Sequence, residues 1–250
     1  MTYDGQSRRD HDVREWALSL VALQPSLDGR GIADQLQRLC RASVAGLHMT
    51  GAAVTVRSAD GSEAVAAASD GRSRGLAEVE LGVGEGPARD AFDLGRPVLV
   101  PELGGSRDDA WHGYSPAAHA AGIGAVFAFP LQVGLSRFGV LTMFCDAPRR
   151  LDQREVFRGL VMSEVATEML LDSSAASVDG EIDPNLKSAL GFRGEIYQAQ
   201  GMVMVSLGVA LPEALARMRA HSYAAERDLI DVSVDILEGR LALTDDRHHA

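Results

Sequence analysis

An α+β fold is expected for the 250-residue chain: one antiparallel sheet with flanking helices, followed by a small all-helical unit. Three observations predict it. Two pairs of short apolar runs each flank a tight turn, the pattern of β-hairpins. Runs with helical periodicity precede and follow those hairpins. Beyond a small, polar, acidic stretch at 172–184, only helical patterns recur. Helices packed on one antiparallel sheet are the usual way to bury such elements together.

The elements follow in order. "DVREWALSLVAL", 12–23, carries Val13, Trp16, Leu20 and Leu23 at helical spacing. "GIADQLQRLCRASVAGL", 31–47, repeats that stripe with Ile32, Leu36, Leu39, Cys40 and Val44. "AAVTVRS" and "EAVAAAS" flank "ADG" as the first hairpin. "ARDAFDLG" is helical, and "RPVLVPEL" after it is a short strand. The long stretch "PELGGSRDDAWHGYSPAAHAAGIG" reads as a loop, and its Trp111 and Tyr114 could help to cover the sheet. Such a loop closes a small-molecule pocket or is simply packed shut. "GAVFAFPLQV" and "RFGVLTMFCD" flank "GLS" as the second hairpin. "LDQREVFRGLVMSEVATEMLL", 151–171, closes the region as a helix with Asp152 as N-cap. The helices 12–23 and 151–171 carry continuous stripes that predict pairing with a second copy in a homodimer.

The division is into 11–171, a linker at 172–184 that ends on a proline, and 185–243. Three helices are expected in the last part, at about 185–207, 212–222 and 226–239, with Gly208 stopping the first. Gly201 stands inside the first of them, where glycine costs about 1 kcal/mol relative to alanine. Close packing of the second and third helices across Ala199 and Gly201 is the expected reason.

Composition excludes several classes of function. No stretch of about 18 uncharged apolar residues exists, so no membrane span is expected. The polar start "MTYDGQSRRDHDVREW" lacks the apolar core of a signal peptide, and a cytoplasmic location follows. Cys40 and Cys145 form no CxxC pair and read as reduced, buried thiols. The net charge of −11 speaks against non-specific binding to nucleic acid. It is unevenly spread: residues 1–171 carry −5, residues 172–184 carry −4 and residues 185–243 only −1.

Catalytic and metal signatures are missing. The seven histidines show neither H-x-x-x-H nor H-E-x-x-H spacing, and "DDAWH" offers no third ligand. No G-x-S-x-G elbow occurs. "LGVGEGPARD" is glycine-rich, but a phosphate there would meet Glu85, so it reads as a tight turn entering a helix at Pro87. No enzyme activity, cofactor or metal is expected, and the first region reads as a binder.

The first region resembles a GAF domain. The resemblance rests on "GEGPARDAFDLGRPVLVPEL" followed by "AGIGAVFAFPLQVGLSRFGVLTMFCD" and covers about 11–171. It implies a sensory or dimerisation module with an unidentified small-molecule ligand, and no cysteine stands where a bilin would be tethered. The second region resembles an ANTAR domain, a three-helix RNA-binding module of bacterial antiterminators. The matching pattern is Arg193, Ile196, Ala199, Gly201, Val203 and Met204, then Ala214, Met218, Arg219 and Ser222, then Arg227, Leu229, Asp231 and Val232. Gln200, Asp228 and Ile230 stand where such modules commonly carry basic residues.

What the resemblance implies is a dimeric, signal-responsive regulator that binds hairpin loops in nascent RNA and controls transcription termination. The expected RNA-binding residues are Arg193, Tyr197, Gln200, Arg217, Arg219, Tyr223 and Arg227: arginines for phosphate, aromatic and amide groups for stacking and base edges. Ile196, Ala199, Gly201, Met204, Ala214 and Ser222 are expected to pack the helices together. With so few positive charges, weak or selective RNA binding is expected. Two rivals stand beside this reading: a signalling scaffold whose helical tail binds a protein, and a ligand-binding enzyme in the first region.

Overall fold

The computed structural model describes residues 4–26, 31–57, 63–104, 111–172, 193–225, 227 and 229–243. The helices α1 (Asp4–Leu23) and α2 (Ile32–Leu47) lead into the hairpin β1 (Gly51–Arg57) and β2 (Glu63–Ala68). Then come α3 (Gly71–Val83), α4 (Pro87–Leu94), β3 (Val98–Val100) and α5 (Tyr114–Ala120). The second hairpin is β4 (Ala125–Val133) and β5 (Ser136–Cys145), and α6 (Gln153–Asp172) follows. The tail holds α7 (Arg193–Leu207), α8 (Leu211–Ala224) and α9 (Leu229–Leu237).

The five strands form one antiparallel sheet in the order β2-β1-β5-β4-β3. Because side chains alternate across a strand, each strand feeds two cores. Val54, Val56, Phe127, Phe129, Leu141 and Met143 point towards α2 and α6. Ala53, Val126, Ala128, Val140 and Phe144 point to the opposite face, where α3, α4 and α5 lie. Both faces are therefore covered. On the first face α6 crosses close to the sheet at Gly159, where a Cβ would run into the Phe129 ring.

Helix α6 begins as expected. Glu155 N–H donates to Asp152 Oδ1 at 2.8 Å, and Asp152 N–H donates to Glu155 Oε2 at 2.9 Å, a reciprocal capping box. Arg149 bonds to Glu155 and also donates to the carbonyls of Leu47 and His48, tying the start of α6 to the end of α2.

Three expectations need correction. The stretch from Pro101 to Gly124 is not all loop: it contains α5, and Tyr114 and Ala118 on that helix are fully buried. Helix α3 was not anticipated at all. The third concerns the stripes of the two flanking helices. They meet each other and α2 inside the chain: Ala17 and Val21 are buried, Trp16 lies under Arg158 at 4.6 Å, and Arg14 makes a forked ion pair with Glu168. Only Leu18 and Leu23 of α1 remain exposed among its large apolar residues. An exposed stripe is thus not available as the argument for a dimer. The proposed linker at 172–184 lies outside the described residues beyond Asp172.

Candidate nucleic-acid interface

The three tail helices share a buried apolar core. Ile196, Ala199, Val203, Ala214, Met218, Ser222, Leu229 and Val232 are buried, and Met204 packs against them. Helix α7 ends at Gly208, whose φ of +64° suits a residue without Cβ, while Val209 N–H bonds back to the Met204 carbonyl. Ser222 Oγ donates to the Arg227 carbonyl at 2.6 Å and fastens the end of α8 to the entry of α9.

Gly201 departs from the expected reason. A Cβ built there meets nothing within 4 Å, so neither α8 nor α9 needs its absence. Its neighbours Met202 and Val205 are 46% and 76% exposed, which makes this an open apolar face. Changing Gly201 to Ala is therefore expected to raise stability by about 0.5–1 kcal/mol through helix propensity. Urea unfolding of the two chains measures it; a loss of stability would mean that another molecule packs against this face.

The candidate RNA-binding residues fall into three groups. Gln200 is only 4% exposed, and its Nε2 donates to the Leu211 carbonyl at 2.7 Å. In this state it is a structural link between α7 and α8. The side chains of Arg193, Tyr197 and Tyr223 lie outside the described residues. The remaining arginines each face carboxylates. Arg217 bridges Glu213 at 3.1 Å, one turn away. Arg227 bridges Asp235 at 2.6 Å, and Arg240 reaches the same carboxylate at 2.7 Å. Hydrogen bonds from Arg227 and then Arg240 hold the Asp235 carboxyl below its ordinary range. Arg219 differs, because its acidic neighbours Glu168 and Asp172 belong to α6. Burial pushes its guanidinium below the ordinary value, with those two carboxylates acting in the opposite sense.

The other candidate site is the α3–α5 face of the sheet. Trp111 and Tyr114 are 3% and 0% exposed, and their rings meet edge-on at 6.3 Å. Of the two readings of this stretch, its described residues show it packed shut around Trp111 and Tyr114. A separate space of about 30 Å³ lies between the sheet and the helices α3 and α4, lined by Thr55, Arg57, Glu63, Glu80, Arg89 and Phe92. That is room for one or two waters. A larger ligand enters this face only if its cover moves. A wider, open depression of about 470 Å³ lies outside it, beside Leu94, Arg96, Pro97 and Trp111.

The glycine-rich turn leads into α4 at Pro87 as expected, but the residue that governs it is Glu80 of α3. Glu80 Oε1 accepts from the N–H groups of Ala88 and Arg89 at 2.6 and 3.1 Å. A carboxyl group of the chain thereby fills the position at this helix N-terminus that a bound anion would take. Gly86, with φ of +151°, passes so close that a Cβ would strike the Glu80 side chain. Burial pushes the Glu80 carboxyl up to about 8, against the two backbone hydrogen bonds. No sequence signal marked Glu80, which sits among other acidic residues in an unremarked stretch.

Comparison with known proteins places both regions. Residues 30–163 match the GAF domain family. The chain belongs to that family. Residues 185–237 match the ANTAR domain behind it. The GAF domain is a sensor and the ANTAR domain a regulatory RNA-binding module of antitermination; neither is a catalytic domain. A GAF domain ahead of an ANTAR domain makes the chain a signal-responsive regulator.

No match was found among curated proteins. Among solved structures, one similar chain is a domain of a putative two-component sensor histidine kinase from Sinorhizobium meliloti 1021. It has 19% identity and a TM-score of 0.48, over 59% of this chain and 95% of that one. Another is the GAF domain of an Acinetobacter phosphoenolpyruvate-protein phosphotransferase, at 9% identity and TM-score 0.49, over 67% and 96%. A third is a type II free methionine-R-sulfoxide reductase from Thermoplasma acidophilum, at 10% identity and TM-score 0.45, over 57% and 94%. None of these likenesses bears on the function of this chain. No helix among the described residues is long and apolar enough to cross a membrane.

Proposed function

We propose that the protein is a cytoplasmic, homodimeric regulator in which the GAF domain, 11–171, governs an ANTAR domain, 185–243, through the linker 172–184. The ANTAR domain binds hairpin loops of nascent RNA, selectively and with modest affinity, and so controls transcription termination. The observation that carries this reading is the ANTAR match on a tail whose Arg217 and Arg219 sit on α8 and whose Arg227 stands in the turn before α9. Two of these arginines form ion pairs within the tail, at side chains 27% and 40% exposed. Such pairs are worth about 0–1 kcal/mol, and a phosphate can replace either carboxylate.

Titrating tandem-hairpin RNA at two salt concentrations tests the reading. Arg227→Ala should weaken binding by about 1–3 kcal/mol if the residue reads a base, or lower the salt slope by about one if it meets a phosphate. Circular dichroism controls for folding. Binding of hairpin RNA by the parent chain no tighter than unrelated RNA would favour the scaffold whose tail takes a protein partner. Light scattering that shows only the 26.6 kDa monomer at micromolar concentration would remove the homodimer.

A further inference from the structure

We propose that the face of α7 formed by Gln198, Gly201, Met202 and Val205 is the seat of one unpaired base of the RNA loop. The inference rests on the RNA-binding reading of the tail and names the part of the RNA that this helix takes. Residues at i, i+3, i+4 and i+7 share one face of a helix, so these four stand side by side on α7. The opposite face, with Ile196, Ala199 and Val203, is turned into the core.

Three features of this face serve no contact within the described residues. Met202 and Val205 expose large apolar side chains to solvent. Gly201 stands between them, and a Cβ there would meet no described residue within 4 Å. A glycine inside a helix is costly, and at a surface it lets another molecule come close to the backbone. Gln198 is exposed at the N-terminal end of the face, and its amide offers both donors and an acceptor.

Charge and size decide what fits. From Ile196 to Leu207 the helix has no charged residue, so the face offers a phosphate nothing to neutralise it. Phosphate contacts stay with the arginines of α8 and of the turn before α9. Gln198 to Val205 spans about 10 Å of helix axis, and a helix is about 10 Å wide, which gives an area on the order of 100 Å². A stable protein complex takes about 800 Å² from each partner, so the face is too small to hold a second copy by itself. It has the size of a nucleobase, whose ring packs on apolar groups while its edge forms hydrogen bonds. The bare Gly201 lets the ring approach the helix, Met202 and Val205 lie against it, and the Gln198 amide reaches its edge.

The test titrates tandem-hairpin RNA against the full chain at two salt concentrations. Gly201→Gln fills the place of the base, and Val205→Ser removes its apolar support. Each variant is expected to bind at least about fivefold more weakly than the parent, with an unchanged salt slope because no phosphate contact is touched. Leu94→Ser, which removes an exposed leucine of the GAF domain, is expected to bind like the parent. Urea unfolding should show Gly201→Gln to be no less stable than the parent. Lower stability would mean that the face is covered within the chain, and would overturn the proposal. Hairpin RNAs with one abasic position in the loop identify the base: at one position the parent loses the same factor, and Gly201→Gln loses nothing more. Parent-like binding by both variants, or a loss that comes with a changed salt slope, overturns the base site while the RNA reading stands. A loss accompanied by conversion of a dimer to the 26.6 kDa monomer in light scattering overturns it in favour of a second copy on this face. A parent chain with no preference for hairpin RNA overturns the RNA reading, and the base site with it.

Discussion

Replacing Tyr114 by alanine is expected to destabilise the GAF domain by about 3–5 kcal/mol, the range for emptying a large aromatic site in a core. Tyr114 is fully buried against Trp111 in the core on the α3–α5 face of the sheet. Its hydroxyl has no hydrogen-bond partner among the described residues. Tyr114→Phe should therefore be neutral or stabilising by about 1 kcal/mol, since an unsatisfied buried hydroxyl is lost with little change of shape. Urea denaturation of the three chains gives both values. A small effect of the alanine variant would mean that this face is looser in solution than its packing indicates, and would return the stretch around Trp111 to the role of a ligand lid.

The second large effect concerns Glu80 and pH. Its carboxyl is raised from an ordinary 4.5 to about 8 by burial. The folded state thus holds a proton that the unfolded chain releases between those values. Stability from this group is complete below pH 4.5 and is lost as pH rises through about 8. The slope for one such proton is at most about 1.4 kcal/mol per pH unit. Glu80→Gln keeps an oxygen for the N–H groups of Ala88 and Arg89 and cannot ionise. The variant should gain on the parent steadily from pH 5 to pH 8. Urea midpoints at those two values measure it. A difference between the chains that stays constant with pH would show that Glu80 is ionised throughout, held by the two backbone hydrogen bonds.

The elements that the sequence revealed are those whose signals are local. The two hairpins, the stripe of α2 and the Asp152 cap of α6 each depend on residues within a few positions of one another. Helix α3 stayed hidden because "GRSRGLAEVELGV" contains three glycines and no clear apolar face: it is buried at Ser73, Leu76, Ala77 and Glu80 on a sheet that no local pattern announces. Helix α5 is short and was masked by the glycines and histidines around it. The candidate RNA residues illustrate the other limit. Their identities follow from the ANTAR pattern, but Gln200 is spent on the Leu211 carbonyl and Arg219 faces α6, nearly fifty positions earlier in the chain. A side chain's neighbours across a linker leave no periodicity to read. Gly201 was visible as an anomaly, while its explanation needed the shape of the surrounding surface.

The strand order has a consequence for the moment at which the protein is made. β1 pairs locally with β2, but its other edge waits for β5: Gly51 is opposite Phe144. A ribosome adds about 5–20 residues per second, so roughly 5–20 s separate the two strands. During that interval the alanine- and valine-rich strands β1 and β2, whose charged residues are Arg57 and Glu63, present an unpaired edge to their surroundings. Only when β5 fills the centre is that edge closed. The tail is translated last and is built from local helical contacts that form quickly. It therefore emerges onto a sensor domain that is already assembled, and nascent chains stalled before Cys145 should be the ones that chaperones capture.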